Sequence, residues 1–277
     1  MAQTYEYIDG AAGVHVLCES DVDGTYSVDA ENGWDDSNVD LHIEDSPNRY
    51  YSHYRGFSYT VRDYVLILTV HAATPILLQA AKRQWAEWHN RELDEGYVRR
   101  TLEDGTVRCL DCIPGKPKWT YLTPSLARVE QHYMAAWPFW RDSSATTANG
   151  NMNDAVPVNL SCNNQGDIPG PMVATWTGIA HTSKLTNSDA DWCEYRVATV
   201  NADDLIVADS RPFGATARYA YTQVHAAGAL IAVATSSGSK LLWLPRGTHN
   251  LVVEGAGGET SSAALAISWY NYYESLY

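Results

Sequence analysis

Five cysteines, nine histidines and 33 carboxylates are the side chains of this 277-residue chain best suited to chemistry. Their spacing is where a catalytic or metal function would show. Cys109-Leu110-Asp111-Cys112 is a C-x-x-C pair, the spacing of dithiol redox sites and of half a structural zinc site. Both uses need convergent sulfurs, and zinc needs two further ligands. The pair lies in a segment that reads as strand, where residues three apart point to opposite faces. No second close Cys or His pair accompanies it, so it reads as two small, half-buried strand residues. The histidines never adopt H-E-x-x-H or another ligand spacing, and His71, after an apolar run, reads as a residue at the edge of the core. Asp21-Val22-Asp23-Gly24 and Asp29-Ala30-Glu31-Asn32-Gly33 resemble calcium loops, but the glycine offset is wrong and no Glu closes a loop. Turn-forming acids explain them better. Glu92, Asp94 and Glu95 crowd one helix end, where a carboxylate pair could cleave a glycoside; a solvated helix end is the simpler reading. No nucleophile elbow, phosphate-binding loop or dinucleotide fingerprint occurs. The expectation is no catalytic residue, no cofactor and no metal.

The elements that would position any site are mostly strands. Residues 56–61 and 64–70 read as strand, the second with Val65 and Ile67 on one face and Leu66, Leu68 and Val70 on the other. Apolar residues on both faces predict a sheet covered by another layer. The cover is the next segment, a helix over about 75–91. Thr74 suits its N-cap and Pro75 its first position, while Leu77, Leu78, Ala81, Trp85 and Trp88 recur at helical spacing. Tyr97–Leu102 and Thr106–Ile113 flank Glu103-Asp104-Gly105, a hairpin signal. Residues 126–137 alternate, with Ala127, Val129, Tyr133, Ala135 and Trp137 on one parity and Arg128, Glu130 and His132 on the other.

Residues 142–154 are polar, small and without period, which marks a linker between a first domain, 1–141, and a second, 155–277. The second half holds only short strand signals, at 156–162, 171–180, 193–200, 205–209, 218–224, 229–235, 249–254 and 262–270, separated by turn residues. That spacing predicts a β-sandwich.

The formal net charge is −14, and its distribution is lopsided. Residues 1–45 carry 12 acids and no Lys or Arg, whereas residues 46–277 carry 21 acids and 19 bases. Such a surface disfavours sequence-reading nucleic-acid binding and anionic membranes. No stretch approaches the roughly 20 apolar residues of a spanning helix, and the N-terminus lacks the pattern of a secretion signal. Scattered cysteines, odd in number, argue against a disulfide framework. Synthesis and assembly in a reducing cytosol are expected.

Aromatics are the remaining lead: 18 Tyr and 10 Trp against 3 Phe. Trp137-Pro138-Phe139-Trp140 closes the first half and reads as packing. Trp269, Tyr270, Tyr272 and Tyr273 end the chain and are candidate partner contacts, because a run of rings needs cover.

In order along the chain, several of these pieces resemble the distal tail proteins of long-tailed, siphovirus-type phages. They are Arg55-Gly56-Phe57 leading into Val65–Val70 and the helix, Leu102-Glu103-Asp104-Gly105-Thr106-Val107-Arg108, and Ala135-Ala136-Trp137-Pro138-Phe139-Trp140. The last is similar to the aromatic element that closes the N-terminal domain in actinobacteriophage-type members. Asn164-Gln165-Gly166-Asp167-Ile168-Pro169-Gly170-Pro171 with Ala174–Gly178, then Val207–Pro212 and Leu241–Asn250, match three further family stretches. The resemblance implies a mainly β fold: a tail-tube-like N-terminal β-sandwich or split barrel with one packed helix, then a galectin-like β-sandwich. It implies a structural, non-enzymatic virion protein at the distal tail tip, a baseplate or minor tail component. That protein forms a hexameric ring with itself and contacts the tail tube protein, the tape measure protein and the tail-tip hub. It also implies a channel through which DNA passes without specific binding. On that basis Asp21, Asp23, Asp35 and Asp36 are candidate channel-lining residues, with solvated outer turns as the alternative. A carbohydrate-binding module or adhesin for host surface glycan is the rival function, and a cell-wall hydrolase the third.

Overall fold

The computed structural model describes residues 3–19, 26–33, 39–45, 52–90, 95–151, 157–177, 183–187, 192–196, 205–211, 220–224, 230–232, 234–235, 240–255 and 264–276. It is mainly β with one helix among the described residues, the fold class expected from the sequence. The chain divides into two compact units, Met1–Ser143 with Tyr273–Tyr277, and Ser144–Tyr272.

In the first unit one path of strands runs Val14–Glu19, Thr4–Ile8, Gly96–Thr101, Val107–Pro114, Leu126–Ala135, Arg62–His71 and Tyr26–Asn32. All these pairings are antiparallel. Lys118–Thr123 adds to the outer side of Leu126–Ala135. The hairpin between Gly96–Thr101 and Val107–Pro114 turns at Gly105, whose φ of 85° is the left-handed conformation that glycine adopts without strain. Val39–Asp45 and Ser52–Tyr59 form a separate hairpin.

Helix Pro75–Trp88 is shorter than the expected 75–91. Thr74 accepts the Leu77 N–H at 3.3 Å, and Pro75 occupies the first turn, where its missing donor goes unused. Leu78, Ala81 and Trp85 pack onto Tyr64, Leu66, Leu68 and Val70 of the long strand. The opposite parity, Val65 and Ile67, is only half-buried, so the second cover that the apolar pattern predicts is incomplete. Leu77 is exposed rather than core.

The aromatic element 137–140 does close this unit: Phe139 and Trp140 are buried, and Trp140 meets Tyr64 edge-on at 5.5 Å.

The second unit is a β-sandwich. One sheet runs Thr146–Asn151, Ala264–Trp269, Gly170–Thr177, Leu205–Asp209, Ala220–Val224 and Leu230–Ala232, and the other Val158–Asn164, Gly247–Gly255, Ser183–Thr186, Trp192–Arg196 and Ala234–Thr235. Alternate residues meet between the sheets: Ala174, Trp176, Ile206, Leu265 and Ile267 against Leu160, Cys162, Leu185, Leu251 and Val253.

Two expected boundaries move. The stretch 142–154 is not a structureless linker, because Thr146–Asn151 is a sandwich strand in register with Ala264–Trp269. Its Thr, Ala, Asn and Gly residues carry no apolar period, so only the partner strand reveals it. Residues 273–277 leave the second unit and join the first, where Leu276 enters the core. Arg62 donates to the Glu274 carbonyl at 2.6 Å, and the Arg108 guanidinium lies 3.8 Å from the Tyr273 ring centre.

Candidate assembly surface

Among the described residues, side chains of catalytic types do not converge on a reaction centre. Cys109 and Cys112 lie on opposite sides of Val107–Pro114, both buried. Burial pushes the Cys109 thiol up to about 11 and raises the Cys112 thiol well above its ordinary value. A thiolate is the reactive form, so Cys109, Cys112 and Cys162, the last also pushed up to about 11, should resist a maleimide in native protein. Labelling should appear only in denaturant, read site by site by mass spectrometry. Among the described residues no three His, Cys, Asp or Glu side chains group as a metal site. Of the crowded acids, only Glu95 lies among the described residues.

Among the described residues, histidines make structural contacts. His71 is exposed, not part of the core edge. His89, which sequence periodicity does not single out, follows the helix and is buried. Its Nδ1 is 2.9 Å from the Trp85 carbonyl oxygen and its Nε2 is 2.8 Å from the Tyr133 hydroxyl. A carbonyl only accepts, so Nδ1 carries the proton and Nε2 accepts from Tyr133. Desolvation lowers the imidazole pKa to about 4. The ring stacks on Tyr7 at 4.8 Å and on Trp85 at 4.6 Å. Gln131 was also invisible to alternation, as a polar side chain on the core parity. It is fully buried, accepts from Trp85 Nε1 at 3.0 Å, and donates to the Gly115 and His132 carbonyls at 2.8 and 2.9 Å.

Asp21, Asp23, Asp35 and Asp36 lie outside the described residues. Other acids of the base-free stretch find bases from later in the chain. Glu6 pairs with Arg99 at 2.5 Å, Asp29 with Arg128 at 2.8 Å, and Glu31 with the buried Arg100 at 2.7 Å. Asp9 accepts the Ala11 and Gly13 amides and contacts His15 at 2.8 Å. Hydrogen bonds from His15 and these amides hold its carboxyl below the usual range against the opposing effect of desolvation.

The expected terminal aromatic contacts divide. Trp269 is buried in the sandwich core, and Tyr272 is buried against the glycine turn at Gly166 and Gly170. Neither is open to a partner, because their own chain covers them. Tyr270 and Tyr273 are half-buried. The Asn164–Ile168 turn explains the motif around it: Asn164 donates to the Ile168 and Leu244 carbonyls and accepts the Gly166 amide. A Cβ on Gly166 would overlap the Tyr272 backbone.

What the first unit does present is apolar surface beside the helix. Ile76, Leu77, Tyr121 and Leu122 are exposed. Gln79 and Lys82 donate to the Tyr121 hydroxyl at 3.4 and 3.1 Å, which joins helix and strand. A groove of about 680 Å³ on the helix is lined by Tyr26, His71, Leu77, Arg83 and Glu87, among others. Exposed apolar side chains of this kind suit contact with another macromolecule.

No protein-family model matches this chain, and no curated protein matches it in sequence. Among solved structures, the chain is similar to SPP1 Dit (gp 19.1), described as a paradigm of the hub adsorption apparatus in Gram-positive-infecting phages. The TM-score is 0.67 at 12% identity, covering 97% of this chain and 98% of that one. It is also similar to a chain of the phage P2 baseplate in its activated conformation with calcium, at TM-score 0.57 and 7% identity, over 97% and 98%. The corresponding strontium form gives 0.57 and 7% over 96% and 97%. With these phage hub and baseplate proteins the chain shares its fold, from one end to the other.

Proposed function

We propose that this chain is a structural protein of a long-tailed phage, a subunit of a ring at the distal end of the tail. The ring joins the tail tube to the tip complex that carries receptor-binding parts and encloses the channel for DNA ejection. The observation that carries this reading is similarity to SPP1 Dit over both units in one alignment, rather than over the sandwich alone. A shared β-sandwich by itself would fit many functions.

In this role the protein performs no turnover. Its partners are further copies of itself in a hexamer, the tail tube protein, the tape measure protein and the tail-tip hub, and it resides in the virion after assembly in the host cytoplasm. DNA passes as a neighbour and not as a ligand, and Asp21, Asp23, Asp35 and Asp36 are its candidate wall residues. Like charge there would keep phosphate from adhering.

Purified protein mixed with its tube partner should form closed rings, seen by negative-stain electron microscopy. Antibody against the chain should label the far end of the tail in intact virions. Label elsewhere, or no rings at any concentration, would overturn the reading.

A further inference from the structure

Apart from the separate hairpin of Val39–Asp45 and Ser52–Tyr59, three strands of the first unit pair on one side only among the described residues. Val14–Glu19 pairs with Thr4–Ile8, Tyr26–Asn32 with Arg62–His71, and Lys118–Thr123 with Leu126–Ala135. An unused edge is a template for another chain unless charge, proline or a bulge guards it. Tyr26–Asn32 is guarded. Its pairing is bulged between Val28 and Ala30, and it turns Asp29 and Asn32 outward.

The other two edges are apolar. Val14 and Val16, two apart and therefore on one face, are 54% and 47% exposed. On Lys118–Thr123, Tyr121 and Leu122 are 49% and 51% exposed. Ile76, 78% exposed, precedes Gln79 by one helical turn, on the side that reaches Tyr121.

We infer that the Lys118–Thr123 edge of one copy pairs with the Val14–Glu19 edge of a second copy, continuing the sheet across the boundary between them. The inference rests on the ring reading above and names its seam. Charge supports the match. Val14–Glu19 ends in Glu19 within the 45 residues that hold no Lys or Arg, whereas Lys82, Lys116 and Lys118 surround the other edge. Using two different edges makes the contact head-to-tail, the kind that closes into a ring.

The test uses the full chain with Val16→Asp and Leu122→Asp, substitutions at exposed positions, each checked for native circular dichroism. Sedimentation should show concentration-dependent association of the parent chain, weakened about tenfold or more in either variant. In parallel, Val16→Cys and Leu122→Cys chains are treated with a short bis-maleimide. The mixture should give cross-linked pairs that neither variant gives alone. Association of the parent that both Asp variants retain, or cross-linking of one Cys variant with itself as efficiently as in the mixture, overturns this seam and leaves the ring reading intact. A parent chain that stays monomeric at every concentration overturns both.

Discussion

Trp85→Ala should destabilise the first unit by about 3–5 kcal/mol, a large part of the stability of a domain. Trp85 is fully buried and touches the core from the only helix among the described residues. It packs edge-on against Trp119 at 6.3 Å and stacks on His89. Truncation opens a cavity the sheet cannot fill, and it also leaves Gln131 Oε1 buried without the Trp85 N–H. Trp85→Phe separates the two effects: most of the volume returns, and the orphaned acceptor alone should cost about 1–3 kcal/mol. Urea denaturation measures both. Hydrogen exchange at Leu66, Leu68 and Val70 should report the loss, because those amides lie beneath the helix. Equal stability of Trp85→Phe and parent would remove the Gln131 bond from the account.

Acidification should weaken the same region before the carboxylates titrate. The His89 imidazole takes up its proton near pH 6.5 in the unfolded chain and near pH 4 in the folded one. Between those values only the unfolded state is protonated, so the contribution of His89 is full above about pH 6.5. It declines as the pH falls and is lost by about pH 4, on the order of 3 kcal/mol in all. Desolvation sets this direction, and the Trp85 carbonyl that accepts the Nδ1 proton opposes it only in part. Tyr7 and Tyr133 stay neutral, since burial raises both phenols, and coulombic repulsion from His15 acts in the same direction as desolvation. Exposed His132 runs the other way: Asp63 and Glu130 raise its pKa, so its small contribution is present at acid pH and lost as the pH rises. Its exposure keeps that term minor. His89→Phe should flatten the stability profile between pH 6.5 and 4, followed by thermal melts. An unchanged slope would show that another group carries it.

The strongest local signals located their elements. Thr74-Pro75 and the spacing of Leu78, Ala81 and Trp85 specify a helix whichever sheet lies below, because capping and one apolar stripe are local properties. Asp104-Gly105 specifies a hairpin for the same reason, since only the turn needs φ above zero. Strand Thr146–Asn151 had no such signal. Its order comes from Ala264–Trp269, more than a hundred residues away, and pairing at that distance leaves no mark on local composition.

Function was legible in the sequence mainly as exclusion. Residue types and spacings offered no convergent nucleophile, ligand set or phosphate loop, and the charge ruled against a basic nucleic-acid surface. The order of motifs resembles that of a tail protein, and solved phage hub and baseplate proteins share the chain's fold.

What the amino-acid sequence determined by itself was the class: a mainly β chain with one strong helix signal and a first 45 residues that carry acids and no Lys or Arg. Those follow from composition and from periods of two and 3.6 residues, which act within a few neighbours. Tertiary structure alone decided where polar groups are buried and which edges remain open. Gln131 reads as an error in alternation until Trp85, 46 residues earlier, supplies its donor. Trp269 and Tyr272 read as open until the fold covers them. Leu276 looks like tail until it fills the first core. In each case the deciding contact joins residues far apart in the chain, and burial is a property of that closure rather than of the residue.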